Sequence, residues 1–194
     1  MNKSKDIVTV ADLRDSLMRR FSLTSEHTFE RVSGGMTIAR QDDAIRRNYA
    51  TFGKRVELGI DNWNGSCPYE VGDWASVLTE IEFGAWQDIR AAGLPLWPRF
   101  PVGDFTVSFG NPAAKVALQC GDESLRVDHW LTKTGWRVFR VTATQCTRVM
   151  ETPADVRERT GEVGDEYRAR YQAETLAGTM QDLRHALIAA GARL

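Results

Sequence analysis

The sequence predicts an α/β fold, a mixed sheet flanked by helices, and three observations carry that expectation. Residues 104–109, Asp-Phe-Thr-Val-Ser-Phe, alternate polar and apolar, as a half-buried strand does. Residues 115–120, Lys-Val-Ala-Leu-Gln-Cys, and 136–142, Trp-Arg-Val-Phe-Arg-Val-Thr, are two further short strand-like runs. Helical patterns precede and separate them, so the order helix, strand, strand, helix, strand describes a mixed α/β unit.

The first helix of that unit is expected over 74–92, where Val77, Leu78, Ile81, Ala85, Trp86 and Ile89 form the apolar face and Gly93 supplies the stop. In the strand at 104–109, Phe105, Val107 and Phe109 share one face, with Asp104, Thr106 and Ser108 on the other. Gly110, Asn111 and Pro112 turn the chain into the second strand, and Gly121, Asp122 and Glu123 turn it out again. A short helix over 126–134 ends at Gly135 and feeds the third strand.

Additions flank the unit on both sides. Leu13, Leu17 and Phe21 recur at four-residue spacing and predict a helix over 10–21; Ala44, Ile45, Tyr49, Phe52 and Val56 predict another over 41–56. The Asn-, Gly- and Pro-rich stretch 61–72 reads as a loop or boundary. Residues 153–194 read as helical in two pieces, 158–171 and 174–190, with Leu176, Met180, Leu183 and Leu187 as an apolar stripe. The division that follows is 1–66 for a helical N-terminal extension, 67–150 for the α/β core and 151–194 for C-terminal helices packed on it.

Composition narrows the functional classes. A chain of 194 residues supports one substantial core, and its 25 basic against 26 acidic side chains create no long-range field that would announce a nucleic acid. Cys67, Cys120 and Cys146 are odd in number and widely spaced, which argues against a disulfide framework or a zinc site and for reduced thiols. The N-terminal residues lack the apolar core of a secretory signal, and no stretch approaches the ~18 apolar residues of a membrane span. A cytoplasmic protein without a membrane partner is the expectation; oligomeric state stays open.

Phe-Pro-Val-Gly-Asp-Phe-Thr-Val-Ser-Phe at 100–109, Lys-Val-Ala-Leu-Gln-Cys-Gly-Asp at 115–122 and Gly-Trp-Arg-Val-Phe-Arg-Val at 135–141 together resemble the PD-(D/E)xK nuclease superfamily. The nearest look-alikes are the very-short-patch-repair endonucleases and related small domains. Thr79-Glu80-Ile81-Glu82 with Trp86 looks like that family's opening helix, and Asp128, Trp130 and Leu131 look like its second. The resemblance covers about 65 residues, a third of the chain, and implies a restriction-endonuclease-like sheet. It also implies an acidic cluster holding Mg²⁺ or Mn²⁺, which orients water at a scissile phosphate.

The acidic positions are largely replaced. Ser108 stands where the family has its strand Asp, Gln119 where it has Glu, and Gly121, beside Asp122, where a second acidic residue follows. Neutral oxygens hold a hard dication weakly, so the plain expectation is a degenerate metal site and no cofactor. The alternative is an active metal-dependent endonuclease with migrated carboxylates, Glu82 and Asp122 as metal ligands and catalytic residues with Gln119 as a neutral ligand. Glu123, Asp104 and Asp128 are weaker substitutes; Asp104 lies about 13 Å along the strand from Ser108.

Each candidate also has an ordinary structural reading. Glu82 on a helix is usually solvated, Asp122 and Glu123 suit a turn, Asp128 a helix surface, and His129 a partly buried position. Ser108 has no nucleophile elbow around it. Trp86, Trp130 and Trp136 fall at core positions. Arg46, Arg47, Lys54, Arg55, Arg99 and Arg137 are the candidate nucleic-acid contacts, through phosphates. The expected function is therefore binding, to DNA or to a protein of DNA processing, and a third possibility is a helical interaction module unrelated to nucleic acid.

Overall fold

The computed structural model describes residues 38–65, 67–121, 125–148, 151–192 and 194. The chain divides into two compact units, Met1–Ala44 and Ile45–Leu194. The helix expected over 10–21 lies outside the described residues. Helix α1 spans Ile38–Glu57. From Ile45 onward the chain builds a four-stranded mixed sheet flanked by helices, the α/β class that the strand and helix patterns predict.

The sheet order is β1-β2-β3-β4, with β1 at Trp97–Val102, β2 at Phe105–Asn111, β3 at Val116–Cys120 and β4 at Arg137–Val141. Strands β1, β2 and β3 pair antiparallel in turn, and β4 runs parallel to β3. A parallel pair needs a crossover connection, and α4, Leu125–Lys133, lies within it. The residue pattern does not predict β1, because that strand carries Pro98 and Pro101. Proline donates no hydrogen bond to a ladder, and β1 tolerates it by lying at the sheet edge.

A two-residue turn, Gly103-Asp104, joins β1 to β2, since Val102 pairs directly with Phe105. Gly103 has φ 58°, and a Cβ there would meet the Trp130 ring at 3.0 Å, so both conformation and space call for glycine. Arg46 of α1 then clamps the turn. Its guanidinium donates to the carbonyls of Gly103 at 2.8 Å, Asp104 at 3.1 Å and Phe105 at 2.9 Å, and to Thr106 Oγ1 at 3.1 Å.

Helix boundaries follow from capping. The expected helix over 74–92 is two pieces, α2 at Trp74–Val77 and α3 at Glu80–Ala91. Thr79 and Glu82 form a reciprocal capping box, which restarts the chain as a new helix after an extended Leu78. Thr142 and Gln145 do the same for α5, Ala143–Thr147, a turn of helix that strand-like residues at 136–142 give no reason to expect. The C-terminal segment is three helices and not two: α6 at Pro153–Thr160, α7 at Glu166–Glu174 and α8 at Ala177–Ala189. Gly161 at φ 69° ends α6 as a left-handed cap.

One core joins these pieces. It includes Ile45, Tyr49 and Phe52 of α1, Trp86 and Ile89 of α3, Leu118 of β3, and Leu183 and Leu187 of α8. The C-terminal stripe of Leu176, Met180, Leu183 and Leu187 is thus buried in this core rather than displayed as an interface. All six tryptophans lie in the core or packed against it, which accounts for them structurally. Phe109 stacks on Trp86 of α3, whereas Phe105 meets Trp130 of α4, so the apolar residues expected on one strand face are divided between two helices.

Replacing Arg46 by Ala leaves three turn carbonyls without this donor. We expect a stability loss of about 1.5–3 kcal/mol, the range for hydrogen bonds to a charged group. Arg46→Lys should recover only part of it, because an ammonium cannot reproduce the fork. Equilibrium urea unfolding followed by tryptophan fluorescence reads both variants.

Candidate functional site

The sheet centre carries the polar residues that a wholly apolar core would exclude. All five residues of β3 are buried, and Gln119 is the polar one among them. The β2–β3 register, with Phe109 opposite Leu118, puts Ser108 beside Gln119. Ser108 N donates to Gln119 Oε1 at 3.0 Å and Ser108 Oγ lies 3.4 Å from the same oxygen. Ser108 Oγ in turn accepts from Cys120 N at 3.1 Å. The two motif positions are therefore brought together, and they satisfy each other with neutral hydrogen bonds.

Gly121 follows directly after β3. Its φ of 88° lies in the left-handed region, where any side chain is strained. Its N–H donates to Val141 O at 2.8 Å, extending the β3–β4 ladder by one bond, and its carbonyl accepts from Arg140 Nη1 at 2.8 Å. Arg140, opposite Gln119 in the parallel register, also makes a two-pronged contact with Asp128 of α4, at 2.8 and 2.9 Å. Asp128 is thus a structural partner tying α4 to the sheet, not a solvated surface residue. His129, expected to be partly buried, is exposed.

Glu82 is buried instead of solvated, at 9 % exposure, because its carboxylate is already in use. Glu82 Oε2 accepts from Thr79 N at 3.0 Å and Thr79 Oγ1 at 3.1 Å, and it faces Arg99 Nη1 at 3.4 Å. Arg99 reaches it from β1 with φ 45°, a left-handed conformation uncommon for arginine. The partner and the strained backbone are invisible in the sequence, which shows only two residues 17 positions apart. Asp122 and Glu123, the other acidic candidates, lie outside the described residues.

The six basic candidates separate. Arg46 is spent on the β1–β2 turn, Arg99 on Glu82, and Arg55 on Asp61 at 2.6 Å and Glu70 at 3.4 Å. Arg137 is exposed on β4 with its guanidinium over the Phe139 ring, 5.1 Å from the centroid. Arg47 and Lys54 are exposed on α1 and seven residues apart, close to two helical turns, so they share a face.

Two residues that sequence reasoning sets aside complete the site. Cys120 at the end of β3 and Cys146 in α5 are both buried in the same core. Twenty-five residues separate the two along the chain.

The described members of this donor set are already engaged. Ser108 and Gln119 offer neutral oxygens already engaged with one another, and Glu82 is held by Arg99 and the helix cap. Among the described residues, no group of three His, Cys, Asp or Glu side chains converges as a metal site. Among the same residues, no helix is long and apolar enough to cross a membrane. Compared with family models, curated proteins and solved structures, the chain matches none.

Ser108→Ala removes the acceptor for the buried Cys120 N–H. The cost of an unmet buried donor is about 1–3 kcal/mol, and a matching fall in the urea midpoint is expected. Ser108→Thr keeps the hydroxyl and should lose less.

Proposed function

We propose that this is a restriction-endonuclease-like domain in which a neutral hydrogen-bonded pair has replaced the metal-binding acids, and which binds DNA without cutting it. The single observation behind this reading is the mutual satisfaction of Ser108 and Gln119 at the two positions where the resemblance implies acidic ligands. The element order from α3 through β4, with a parallel last strand reached by a helical crossover, supports it. A positive φ at Gly121 supports it again, since that backbone suits no side chain.

Affinity in this reading comes from phosphate contacts made by Arg47, Lys54 and Arg137, the three basic candidates that are exposed and outside the ion pairs described above. With a net charge of −1, the chain as a whole contributes little attraction. Binding is therefore salt-sensitive and modest. Fluorescence anisotropy with duplex, single-stranded and branched DNA at low salt should show complexes that weaken as salt rises. In the Arg47→Ala, Lys54→Ala double variant the slope of log affinity against log salt should fall by about two.

Incubation with Mg²⁺ or Mn²⁺ should leave all three DNAs intact. Cleavage that disappears in Glu82→Ala and Asp122→Ala would replace this reading with an active nuclease built on displaced carboxylates. Failure to bind any of the DNAs would remove the DNA version and leave a protein partner.

The metal argument has its own test. Restoring acids with Ser108→Asp and Gln119→Glu together places two carboxylates side by side in a buried site, which repel without a counter-ion. The double variant should melt below the wild type in chelator and regain stability in millimolar Mg²⁺, while the wild type shows no Mg²⁺ response in the same thermal scan.

A further inference from the structure

The two edges of the sheet differ. At one, β1 carries Pro98 and Pro101, and the Tyr49 hydroxyl of α1 donates to the Pro98 carbonyl, so residue type and a side-chain donor both close that edge. At the other, β4 reads Arg-Val-Phe-Arg-Val and holds no proline. Arg137 N donates to Lys115 O at 2.8 Å, and Val141 O accepts from Gly121 N at 2.8 Å. Alternate residues of a strand turn their backbone groups to the same side, so Arg137, Phe139 and Val141 face β3 while Val138 and Arg140 face away. The outward N–H and C=O groups of those two make no hydrogen bond among the described residues. Helices α4 and α8 pack on β4, yet Val138 and Phe139, on opposite faces of the strand, stay half-buried, unlike any residue of β3.

Positive charge gathers at the start of the same strand. Lys133 and Arg137 flank Gly135, and the Lys115 ammonium lies against it, 3.8 Å from where a Cβ of residue 135 would stand. All three cations are exposed, and none has an ion-pair partner among the described residues. The Arg137 guanidinium, over the Phe139 ring, carries that charge along the strand.

We propose that β4 is a docking edge for an acidic extended peptide of a partner protein, which adds to the sheet as a further strand antiparallel to β4. Main-chain bonds to Val138 and Arg140 make the pairing, and acids at the C-terminal end of the peptide meet Lys115, Lys133 and Arg137. The antiparallel sense is the more stable per residue. Charge selects this occupant: a second copy would bring its own Arg137 and Arg140 to the edge and no acid. A nucleic acid answers the cations but has no row of alternating N–H and C=O groups for the strand. The inference stands apart from the DNA reading. Arg137 is common to both, but Arg47 and Lys54, on which the salt-slope test rests, belong to α1, which is tied to β1 at the other edge.

The test follows amide hydrogen exchange by NMR in the full chain. In the free protein the Val138 and Arg140 amides should exchange at least about tenfold faster than that of Phe139, which is bonded to β3. The probe peptide Thr-Val-Thr-Val-Thr-Glu-Glu should slow both by about tenfold near saturation and leave Phe139 unchanged. A counterpart ending in Lys-Lys should not. Of two N-methylated forms of the acidic peptide, one with methyls on the valines and one on the threonines, a single form should still bind, because only one set of N–H groups faces β4. Lys133→Glu with Arg137→Glu, both at exposed positions, should weaken the acidic peptide about tenfold. Slow exchange at Val138 and Arg140 in the free chain means that the edge is already covered, and overturns the proposal. So does protection that grows with protein concentration alone, which assigns the edge to a second copy, or equal protection by a short DNA duplex, by the Lys-ended peptide or by both methylated forms.

Discussion

The burial of β3 is the constraint on which the rest of the structure depends. None of its five residues is exposed; three pair antiparallel with β2 and all five parallel with β4, so the strand has no freedom to slide. A one-residue slip would exchange Leu118 and Gln119 between the two faces of the sheet. That fixed register sets Gln119 against Ser108 and Arg140, and Cys120 against Val141. Polar chemistry at the sheet centre is thus inherited from the pairing geometry. The side chains supply only the means of satisfying it.

Satisfaction is complete enough to explain why a neutral pair can persist there. A carboxylate at Gln119 with no cation beside it would be a buried charge, which proteins avoid or neutralise. An amide oxygen takes the Ser108 N–H without that cost. The ionic contacts lie away from β3: Arg140, part-exposed, with Asp128, and Arg99 with the buried Glu82. A centre without charge and a margin of closed ion pairs is an arrangement suited to holding shape.

Much of this is legible in the residues. The strands at 104–109, 115–120 and 136–142, and the helix over 126–134, form within a few residues of their expected bounds, because alternation and glycine punctuation report local geometry directly. Strand β1 is hidden by two prolines that only an edge position excuses. The break at Leu78 is written in Thr79-x-x-Glu82, a capping signal masked by the apolar periodicity running across it. At the site, the placement of Ser108 next to Gln119 follows from the motif spacing. The Arg99–Glu82 contact does not, since it joins segments whose proximity is a tertiary fact with no local signature.

Arg46 links α1 to a turn 57 residues further along the chain. On a ribosome that adds about 5–20 residues per second, the helix emerges several seconds before its partner exists. During that interval Tyr49 and Phe52, later buried among Trp63, Trp97 and Phe100, have nothing to pack against. The hairpin, closed by a two-residue turn, needs no such wait. The aromatic surface of α1 therefore stays open until the hairpin has been made, while β4, the last strand, is made later still.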